Sequence, residues 1–533
     1  MKLSTVLVNA ALIAGSVAEL DPIVIKGSKF FYKSNGTEFF MRGIAYQQDV
    51  AQGGGSISGD KKYKDPLADV ALCKRDVPLL QELRTNTIRV YAIDPEADHT
   101  ECMKMLDDAG IYVIADLSEP ATSIIRSDPK WNDDLYERYT SVVDELAKYT
   151  NTIGFFAGNE VSNNKTNTDA SAFVKAAVRD TKAYIKSKNY REMGVGYATN
   201  DDAEIRDEMT NYFNCGSREE TIDFWGYNIY SWCGNSNFKE SGYEKVVKDF
   251  STFSVPVFFG EYGCNDVQPR KFTEVGTIYG KQMTHVLSGG IVYMYFQEEN
   301  DYGLVEVKGG KLKKLDDFDY LKKEMAKVDP TGVKMDDYKP SNTELAACPT
   351  NTKVWQASET LPPTPNKELC SCMVKSLSCV ASSSITDKRL GDLFGTVCGL
   401  GDNVCAGISA DASKGVYGAY SMCNPKEQLS FALNTYYLQQ EKKGNGAQAC
   451  DFDGAAKTQT PTEVEGNCKS LMDEAGTDGT GQVTTGPEGS SDDSSESSSA
   501  AYPSTIPSFN FGLIQLGAYL VCGVFAGAGM ILL

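Results

Sequence analysis

Residues 152–160 read Thr-Ile-Gly-Phe-Phe-Ala-Gly-Asn-Glu, and residues 257–263 read Val-Phe-Phe-Gly-Glu-Tyr-Gly. Each stretch is an apolar run containing glycine, as expected for a buried strand, and each leads into a glutamate. Burying a carboxylate at a strand end is costly, so each glutamate needs an explanation. One such glutamate is more often a structural ion-pair partner. Two of them at comparable strand ends favour a catalytic pair.

Further runs of the same kind recur along the first part of the chain, and helical patterns separate most of them. The clearest helical pattern covers residues 131–149, where Leu135, Tyr139, Val142 and Leu146 fall on one face. Strands alternating with helices favour an α/β fold, a (β/α)₈ TIM barrel, over the alternative of a doubly wound open sheet. The eight predicted strands are Phe39–Ala45, Thr85–Ile93, Ile111–Leu117, Thr152–Glu160, Glu192–Asn200, Ile222–Tyr230, Val255–Gly263 and Gly290–Glu298.

The barrel prediction brings the two glutamates together. Function in a TIM barrel lies at the carboxyl ends of the strands, where Glu160 follows the fourth strand and Glu261 the seventh. Two carboxylates about 5 Å apart carry out retaining glycoside chemistry, one as the nucleophile and the other as the acid and base. The sequence therefore predicts Glu160 and Glu261 as the catalytic residues.

Composition narrows the possible chemistry. The 533 residues include 52 Lys and Arg against 72 Asp and Glu, a net charge of −20, which argues against a nucleic acid or an anionic membrane surface as partner. Only two histidines occur, His99 and His285, and neither lies in a serine-hydrolase or zinc-binding motif. The net charge fits a solvated protein or one that acts on an uncharged polymer, and carboxylates remain as the expected acids and bases.

Both ends of the chain resemble processing signals. Residues 1–18 have a basic start, an apolar stretch and small residues before a cut after Ala18, which is typical of a signal peptide. Residues 511–533 form an uncharged apolar tail that small residues and a polar spacer precede. This pattern predicts a glycosylphosphatidylinositol (GPI) anchor near Ser498, with residues 499–533 removed. A transmembrane tail is the alternative.

Four segments follow the signal peptide. We assign residues 19–347 to the catalytic barrel and residues 348–367 to a Pro-rich linker. Residues 368–470 form a Cys-rich module, and residues 471–498 form a stalk of Ser, Thr and Gly that is predicted to be disordered.

The cysteines indicate an oxidising compartment. Fifteen occur, and removal of the tail with Cys522 leaves an even number for disulfides. Zinc binding by the dense cluster is the alternative, but no Cys-x-x-Cys pair occurs. Spacing alone leaves the connectivity open. The fourteen are Cys73, Cys102, Cys215, Cys233, Cys264 and Cys348, which are dispersed, and Cys370, Cys372, Cys379, Cys398, Cys405, Cys423, Cys450 and Cys468, which are clustered. Glycosylation sequons lie at Asn35 and Asn164.

Several stretches together resemble a known enzyme family. They are residues 87–91 (Thr-Ile-Arg-Val-Tyr), 158–161 (Gly-Asn-Glu-Val), 223–230 (Asp-Phe-Trp-Gly-Tyr-Asn-Ile-Tyr) and 259–264 (Phe-Gly-Glu-Tyr-Gly-Cys). The chain is similar in them to the fungal β-1,3-glucanosyltransferases of glycoside hydrolase family 72. The module, with Tyr-Gly-Ala-Tyr-Ser-Met-Cys at 417–423, resembles family-43 carbohydrate-binding modules.

The resemblance implies roles for individual residues. Glu160 matches the acid/base, Glu261 the nucleophile, and Asn159 a hydrogen-bonding partner of the sugar 2-hydroxyl. Tyr230, at the end of the sixth strand, would keep Glu261 ionised, although a packed core tyrosine is an alternative. Further glucan contacts are implied for residues whose alternatives are core packing or solvated loops, namely Gln47, Tyr91, Asp116, Ser118, Glu119, Asp201, Arg206 and Tyr293, the last within the eighth strand.

The family's barrel disulfides imply three pairs here, and no cofactor or metal is implied. The implied pairs are Cys73 with Cys102, Cys215 with Cys348, and Cys233 with Cys264.

The resemblance favours one function over two others. The enzyme would cleave an internal β-1,3-glucosidic bond and transfer the new reducing end to the non-reducing end of another β-1,3-glucan chain. The alternatives are an endo-β-1,3-glucanase and a wall-anchored glucan-binding protein with an inactive barrel. The expected partners are donor and acceptor glucan chains and the plasma membrane through the GPI anchor, with no nucleic acid and no protein partner. The expected location is the cell surface, on the membrane's outer leaflet or in the cell wall.

Overall fold

A small hairpin precedes the barrel and covers its amino-terminal end. The computed structural model describes residues 19–48, 63–350 and 352–485. The hairpin consists of β1 (Ile23–Lys26) and β2 (Lys29–Tyr32). Phe30 of β2 lies 6.1 Å, between ring centroids, from each of Phe224 and Phe258, which are near the starts of barrel strands. The opposite end of the barrel, where the strands finish, is left open for chemistry.

Eight parallel strands form a closed barrel, because the last of them pairs with both the first and the seventh. The prediction of a TIM barrel is therefore confirmed. The strands are β3 (Met41–Ala45), β4 (Thr87–Val90), β5 (Tyr112–Asp116), β6 (Thr152–Asn159), β7 (Gly194–Thr199), β8 (Trp225–Asn228), β9 (Val257–Tyr262) and β10 (Leu287–Val292).

The eighth predicted strand was misplaced. It begins at Leu287, where it pairs with Val257, and it ends at Val292. Tyr293 therefore follows the strand rather than lying within it, and its backbone N–H donates to the carbonyl of Tyr262. The small residues at 288–290 are not typical of a strand in sequence. Gly289 nevertheless allows close packing against β3, because a Cβ there would lie 2.2 Å from the carbonyl of Met41.

Helices surround the barrel, and the clearest predicted one is confirmed as α3, whose apolar face is buried against the strands. A second hairpin, β11 (Val305–Lys308) with β12 (Lys311–Lys314), precedes the last barrel helix. The helices are α1 (Val70–Glu82), α2 (Thr100–Asp108), α3 (Asp133–Leu146), α4 (Ala170–Ser187), α5 (Arg206–Phe213), α6 (Tyr243–Phe250), α7 (Val275–Ile278) and α8 (Asp316–Met325).

The Cys-rich module is a helical unit with two short antiparallel pairs of strands. Its longest helix, α11, begins at Pro425 behind a capping box formed by Asn424 and Glu427. The elements are α9 (Lys367–Ser376), β13 (Cys379–Ala381), α10 (Asp387–Val397), β14 (Ala410–Asp411), β15 (Val416–Tyr417), α11 (Pro425–Lys442), β16 (Ala456–Thr458) and α12 (Gly466–Ala475).

Seven disulfides join all fourteen cysteines among the described residues. The three barrel bonds are those that the family resemblance implies. Each thiol of the clustered set is bonded to another, so none of them offers a thiolate to zinc. The bonds are Cys73–Cys102, Cys215–Cys348, Cys233–Cys264, Cys370–Cys423, Cys372–Cys468, Cys379–Cys450 and Cys398–Cys405.

The Pro-rich linker packs against the barrel as a strap. Trp355 is fully buried, with its ring 5.0 Å from that of Tyr212, whose hydroxyl donates to the carbonyl of Ser358 at 2.7 Å. Arg179 of α4 donates to the carbonyl of Pro362 at 2.9 Å. These contacts fix the path of the chain between the barrel and the module.

Residues 471–485 lie with the module rather than in the disordered stalk that the sequence predicts. Residue 471 lies inside α12, where Leu471 and Ala475 are buried in the module core. The chain then turns back, and Glu474 accepts hydrogen bonds from the backbone of Thr484 and Thr485. A few apolar positions in a polar stretch suffice for folding here because the preformed module supplies the rest of the core.

Several terminal predictions lie outside the described residues. They concern the signal peptide, the stalk from residue 486, the anchor site at Ser498 and the propeptide 499–533. In the part of the chain that the structure describes, none of the helices combines the length and the apolar character needed to span a membrane.

The junction between barrel and module holds a buried carboxylate. Asp133 begins α3, and its backbone N–H donates to the carbonyl of Met422 in the module at 3.0 Å. Its side chain is 7% exposed, and both carboxylate oxygens lack a hydrogen-bond partner among the described residues. The pKa of Asp133 is raised to about 7, mainly by burial and in smaller part by the nearby charges of Glu427 and Asp134, against the opposing charge of Lys367.

We expect Asp133→Asn to stabilise the protein at pH 8 by on the order of 2 kcal/mol, since the amide needs no ionisation and the helix N-terminus offsets part of the wild-type cost. A group whose pKa is raised in the folded state contributes stability that is fully present below its unfolded-state pKa. That contribution is lost as the pH rises through its folded-state pKa. Wild-type stability should therefore fall between about pH 4 and pH 7, and the variant should lack this component. Urea unfolding of the wild type and the variant at pH 4 and at pH 8 measures the difference in their free energies of unfolding. Asp207→Asn is the control, because Asp207 is an exposed aspartate in the first turn of α5 and is not among the charges that act on Asp133. Equal pH dependence in wild type and Asp133→Asn would contradict the assignment.

Candidate active site

Glu261 lies in β9, 7% exposed, and its carboxylate is surrounded by donors. The hydroxyl of Tyr91 donates to Oε1 at 2.7 Å and that of Tyr230 to Oε2 at 2.6 Å. Nη1 of Arg89 lies 3.4 Å from Oε1. Burial raises the pKa of Glu261, while the Arg89 charge and the two tyrosine hydroxyls oppose the rise. The donors all favour the carboxylate form, as a nucleophile requires.

Arg89 supports this carboxylate from inside the barrel. It is fully buried in β4, and its guanidinium makes two bonds of 2.9 Å to Asp116 at the end of β5. Its charge lies 4.4 Å from the ring centroids of Tyr91 and Phe156. The paired Asp116 neutralises the arginine, and the arginine in turn leaves one N–H group for Glu261.

Glu160 follows β6 and has a different environment. Its side chain is half-buried, and its φ of +51° is in the left-handed region that few residues other than glycine adopt. Its backbone N–H donates to the carbonyl of Ala198 at 2.9 Å, and its carbonyl accepts from Arg126 at 2.6 Å. Its Oε1 accepts from Nδ2 of Asn228 at 2.9 Å. These contacts hold an otherwise unfavourable backbone and direct the carboxyl group.

A cleft of about 390 Å³ opens beside Glu160 at the carboxyl ends of the strands. Six of the residues predicted to contact glucan line it, which are Gln47, Tyr91, Asp116, Ser118, Glu119 and Asn159. The remaining wall is mixed polar and apolar, with Tyr63, Ile124, Ile125 and Arg126 among its residues. Such a lining suits a sugar, which presents hydroxyls at its edge and C–H groups on its faces.

Two of the cleft residues already use their polar atoms within the protein. Gln47 accepts from the backbone of Tyr91 and Ala92 and donates to the carbonyl of Lys64. Asp116 is 2% exposed and is bonded to Arg89. Both therefore shape the cleft and orient its walls.

A cluster of tyrosines covers Glu261. The ring of Tyr293 lies 6.5 Å from that of Tyr91 and 6.3 Å from that of Tyr230, in edge-to-face contact, and Tyr302 lies 5.2 Å from Tyr293. Tyrosine rings pack against sugar C–H faces and exclude water from a reacting centre. The predicted Tyr230 and Tyr293 thus both lie near Glu261.

Asp201 and Arg206 lie apart from the residues that line this cleft. They form an ion pair after β7, and the hydroxyl of Tyr227 donates to Asp201 at 2.5 Å. The structure brings this pair to the same end of the barrel as Glu160 and leaves it outside the cleft.

Sequence reasoning missed three residues of the site: Arg89, Arg126 and Asn228. Arg89 and Asn228 lie within the family motifs at residues 87–91 and 223–230. A charged or amide side chain within a short buried strand could have indicated that each belongs to the site. Arg126 lies in an exposed loop, where its sequence gave no indication of a bond to the backbone of Glu160.

Comparison with known proteins places this geometry in a family. The glucanosyltransferase family profile matches residues 13–329, and the X8 domain profile matches residues 377–457. A 1,3-beta-glucanosyltransferase of Arthroderma benhamiae is 66% identical over the full length of both chains. The chain belongs to the glucanosyltransferase family.

Other members of the glucanosyltransferase family agree in sequence and fold. The 1,3-beta-glucanosyltransferase gas1 of Schizosaccharomyces pombe is 44% identical, with 89% of this chain and 85% of that one covered. A mutant of Saccharomyces cerevisiae Gas2p, solved in complex with laminaritetraose and laminaripentaose, is 42% identical with a TM-score of 0.74, and covers 82% of this chain and 95% of that chain. The family match and these relatives therefore show that this protein is a transferase whose catalytic domain is a glycoside hydrolase barrel.

Proposed function

We propose that the protein elongates and remodels wall glucan by a retaining double displacement. It cleaves an internal β-1,3-glucosidic bond and joins the new reducing end to the non-reducing end of a second β-1,3-glucan chain. The observation that supports this most directly is the contrast between the two glutamates. Buried Glu261 faces three donors, whereas half-buried Glu160 has one donor to its carboxyl group and adjoins the open cleft. Two carboxylates in different environments take different roles.

In the first step, a carboxylate oxygen of Glu261 attacks the anomeric carbon and forms a covalent glucosyl-enzyme bond. Glu160 gives its proton to the departing glycosidic oxygen, so the leaving chain departs with a neutral hydroxyl. When the covalent bond forms, Glu261 loses its negative charge. The hydrogen bonds from Tyr91 and Tyr230 then no longer stabilise an anion. The leaving half of the glucan then vacates the cleft.

In the second step, Glu160 acts as a base on the incoming chain. It removes the proton from the acceptor hydroxyl, whose oxygen attacks the anomeric carbon and displaces Glu261. The net configuration is retained because each displacement inverts it. Glu160 ends protonated and Glu261 ionised, so the enzyme returns to its starting state.

Transfer rather than hydrolysis requires a sugar to reach the intermediate before water does. The rings of Tyr91, Tyr230 and Tyr293 cover Glu261 and offer apolar surfaces on which an acceptor sugar can lie. Asn159, Ser118 and Glu119 line the cleft with polar groups for glucan hydroxyls. Asp201 and Arg206 would contact a chain that extends beyond this cleft.

The test is to incubate the protein with a reduced laminari-oligosaccharide and to size the products. Products longer than the starting oligosaccharide are expected. Shorter products alone would indicate an endo-β-1,3-glucanase, and unchanged oligosaccharide would indicate a glucan-binding protein.

The protein is also proposed to act at the cell surface. Seven disulfides require an oxidising compartment, which supports export after cleavage at Ala18. A GPI anchor near Ser498 would hold the barrel, linker and module on the outer leaflet, with N-glycans at Asn35 and Asn164. Phosphatidylinositol-specific phospholipase should release the protein from membranes. A mature chain that still carries residues 499–533 would contradict the anchor.

A further inference from the structure

One side chain joins the two residues of the Asn159–Glu160 pair. Asn228 ends β8 and is 3% exposed. Its Nδ2 donates to Oδ1 of Asn159 at 3.1 Å and to Oε1 of Glu160 at 2.9 Å. Its backbone is the register partner of Glu261 on the neighbouring strand. Asn228 therefore lies between the two catalytic glutamates.

The two bonds determine what the paired residues can offer to a substrate. An amide has two N–H donors, and Asn228 uses one on each partner. Because Oδ1 of Asn159 is occupied, the amide NH₂ of Asn159 is left to face the cleft, where it can donate to a sugar hydroxyl. Because Oε1 of Glu160 is occupied, its other oxygen is left to hold the transferable proton.

The surroundings of Asn228 fix the direction of its amide. Rotation by 180° would place its oxygen against Oδ1 of Asn159 and Oε1 of Glu160, where acceptors repel one another. Its own Oδ1 is buried with no hydrogen-bond partner among the residues that the structure describes. That oxygen lies against Gly260, where an added Cβ would be 2.7 Å away. An unmet buried acceptor costs stability, so Asn228 lowers the stability of the fold at this position.

We propose that Asn228 is a positioning residue that aims the acid/base Glu160 and orients Asn159 for the sugar. The inference deepens the proposed double displacement and rests on it. After Glu160 has given up its proton, the N–H group of Asn228 stabilises the carboxylate that remains. Asn228 thus acts through its two neighbours and touches no reacting atom.

The test is Asn228→Ala in the full ectodomain with a laminari-oligosaccharide. We expect kcat to fall roughly 100-fold, in the range for impaired general acid–base catalysis, with KM changed by less than about threefold. The loss should shrink for an aryl glucoside whose leaving group needs no protonation, because Asn228 acts through the acid Glu160. A residue needed only for packing would slow both substrates equally.

Asn151→Ala is the matched control. Asn151 is also buried at 2% exposure and also donates twice from one amide, to the carbonyls of Met103 and Ile111. Asn151 precedes β6 at the opposite end of the barrel, so Asn151→Ala should lower the unfolding temperature and leave kcat nearly unchanged for both the laminari-oligosaccharide and the aryl glucoside. Asn228→Ser, which keeps one donor, should fall between the wild type and Asn228→Ala.

Each outcome decides the proposal. A folded Asn228→Ala variant would overturn it if kcat stayed within threefold of wild type, or if the loss were as large for an aryl glucoside as for the laminari-oligosaccharide. If only Asn228→Ser folds, a kcat equal to that of wild type would overturn it. Failure of both variants to fold, with Asn151→Ala folded, would assign Asn228 to stability and overturn it as well. If the wild type makes no longer products, or Glu160→Gln is fully active, the proposed function fails instead, whatever Asn228 does.

Discussion

Glu261→Gln is expected to lower kcat for glucanosyl transfer by on the order of 10⁴-fold or more, as loss of an enzyme's covalent nucleophile does. The amide cannot attack the anomeric carbon, and its NH₂ would face the hydroxyl of Tyr91 or Tyr230, which both donate to the wild-type carboxylate. Arg89 keeps its two bonds to Asp116, so the barrel should remain folded. Product sizing and circular dichroism measure the two effects.

Glu160→Gln should cost less, roughly 10²–10⁴-fold, because it removes a proton donor and leaves the nucleophile intact. The loss should shrink for an aryl glucoside whose leaving group needs no protonation. Glu38→Gln is the matched control for both variants, since Glu38 is also buried and bonded to Lys29 but lies outside the site. Activity above a few per cent in Glu261→Gln would refute the nucleophile assignment.

Arg89→Leu is expected to destabilise the protein by about 3–5 kcal/mol, as breaking a buried ion pair from one side does. It leaves Asp116 buried without its cation and removes the charge beside Glu261. The double variant Arg89→Leu, Asp116→Leu removes the unpaired charge, so it should recover much of the stability and yet remain poorly active. Urea unfolding and initial rates separate these effects.

The comparison among Arg89 variants has a clear negative outcome. If the free energy of unfolding of Arg89→Leu lies within about 1 kcal/mol of the wild-type value, the ion pair contributes little to stability. The charges of the site would then be better solvated than their burial implies. If the double variant regains full activity along with stability, Arg89 is needed for folding alone and does not support Glu261.

The barrel could be predicted because burial on both faces leaves a simple pattern. Residues 152–160 are apolar throughout and end on polar residues, and the strand there runs from Thr152 to Asn159. The eighth strand was misplaced because Ser288, Gly289 and Gly290 carry no apolar signal, although Gly289 allows β10 to lie close to β3 and Gly290 allows it to lie close to β9. Residues 471–485 were wrongly assigned to the disordered stalk, because their few apolar residues pack on a core that other segments of the module supply.

The candidate site was predictable where chemistry coincides with a strand end. Glu160 and Glu261 satisfy that rule. Arg89 does not, because its role in the site depends on the ion pair with Asp116. Asp116 lies 27 residues further along the chain, on the neighbouring strand. The donor role of Asn228 depends likewise on Glu160, 68 residues away. Contacts at such separations arise from the closure of the barrel and have no local pattern.

The disulfides also define how tension would travel through the molecule. Cys372–Cys468 joins the start of the module to its end, and Cys215–Cys348 joins the strap to the barrel. A pull applied beyond Cys468 passes through the first bond to α9, along the strap, and through the second bond into the barrel. The 96-residue and 133-residue loops that these bonds close are bypassed. Along this path, the described residues between Cys348 and Cys372 carry the load, so a pull reaches the barrel at Cys215 without running through the chain of the module core.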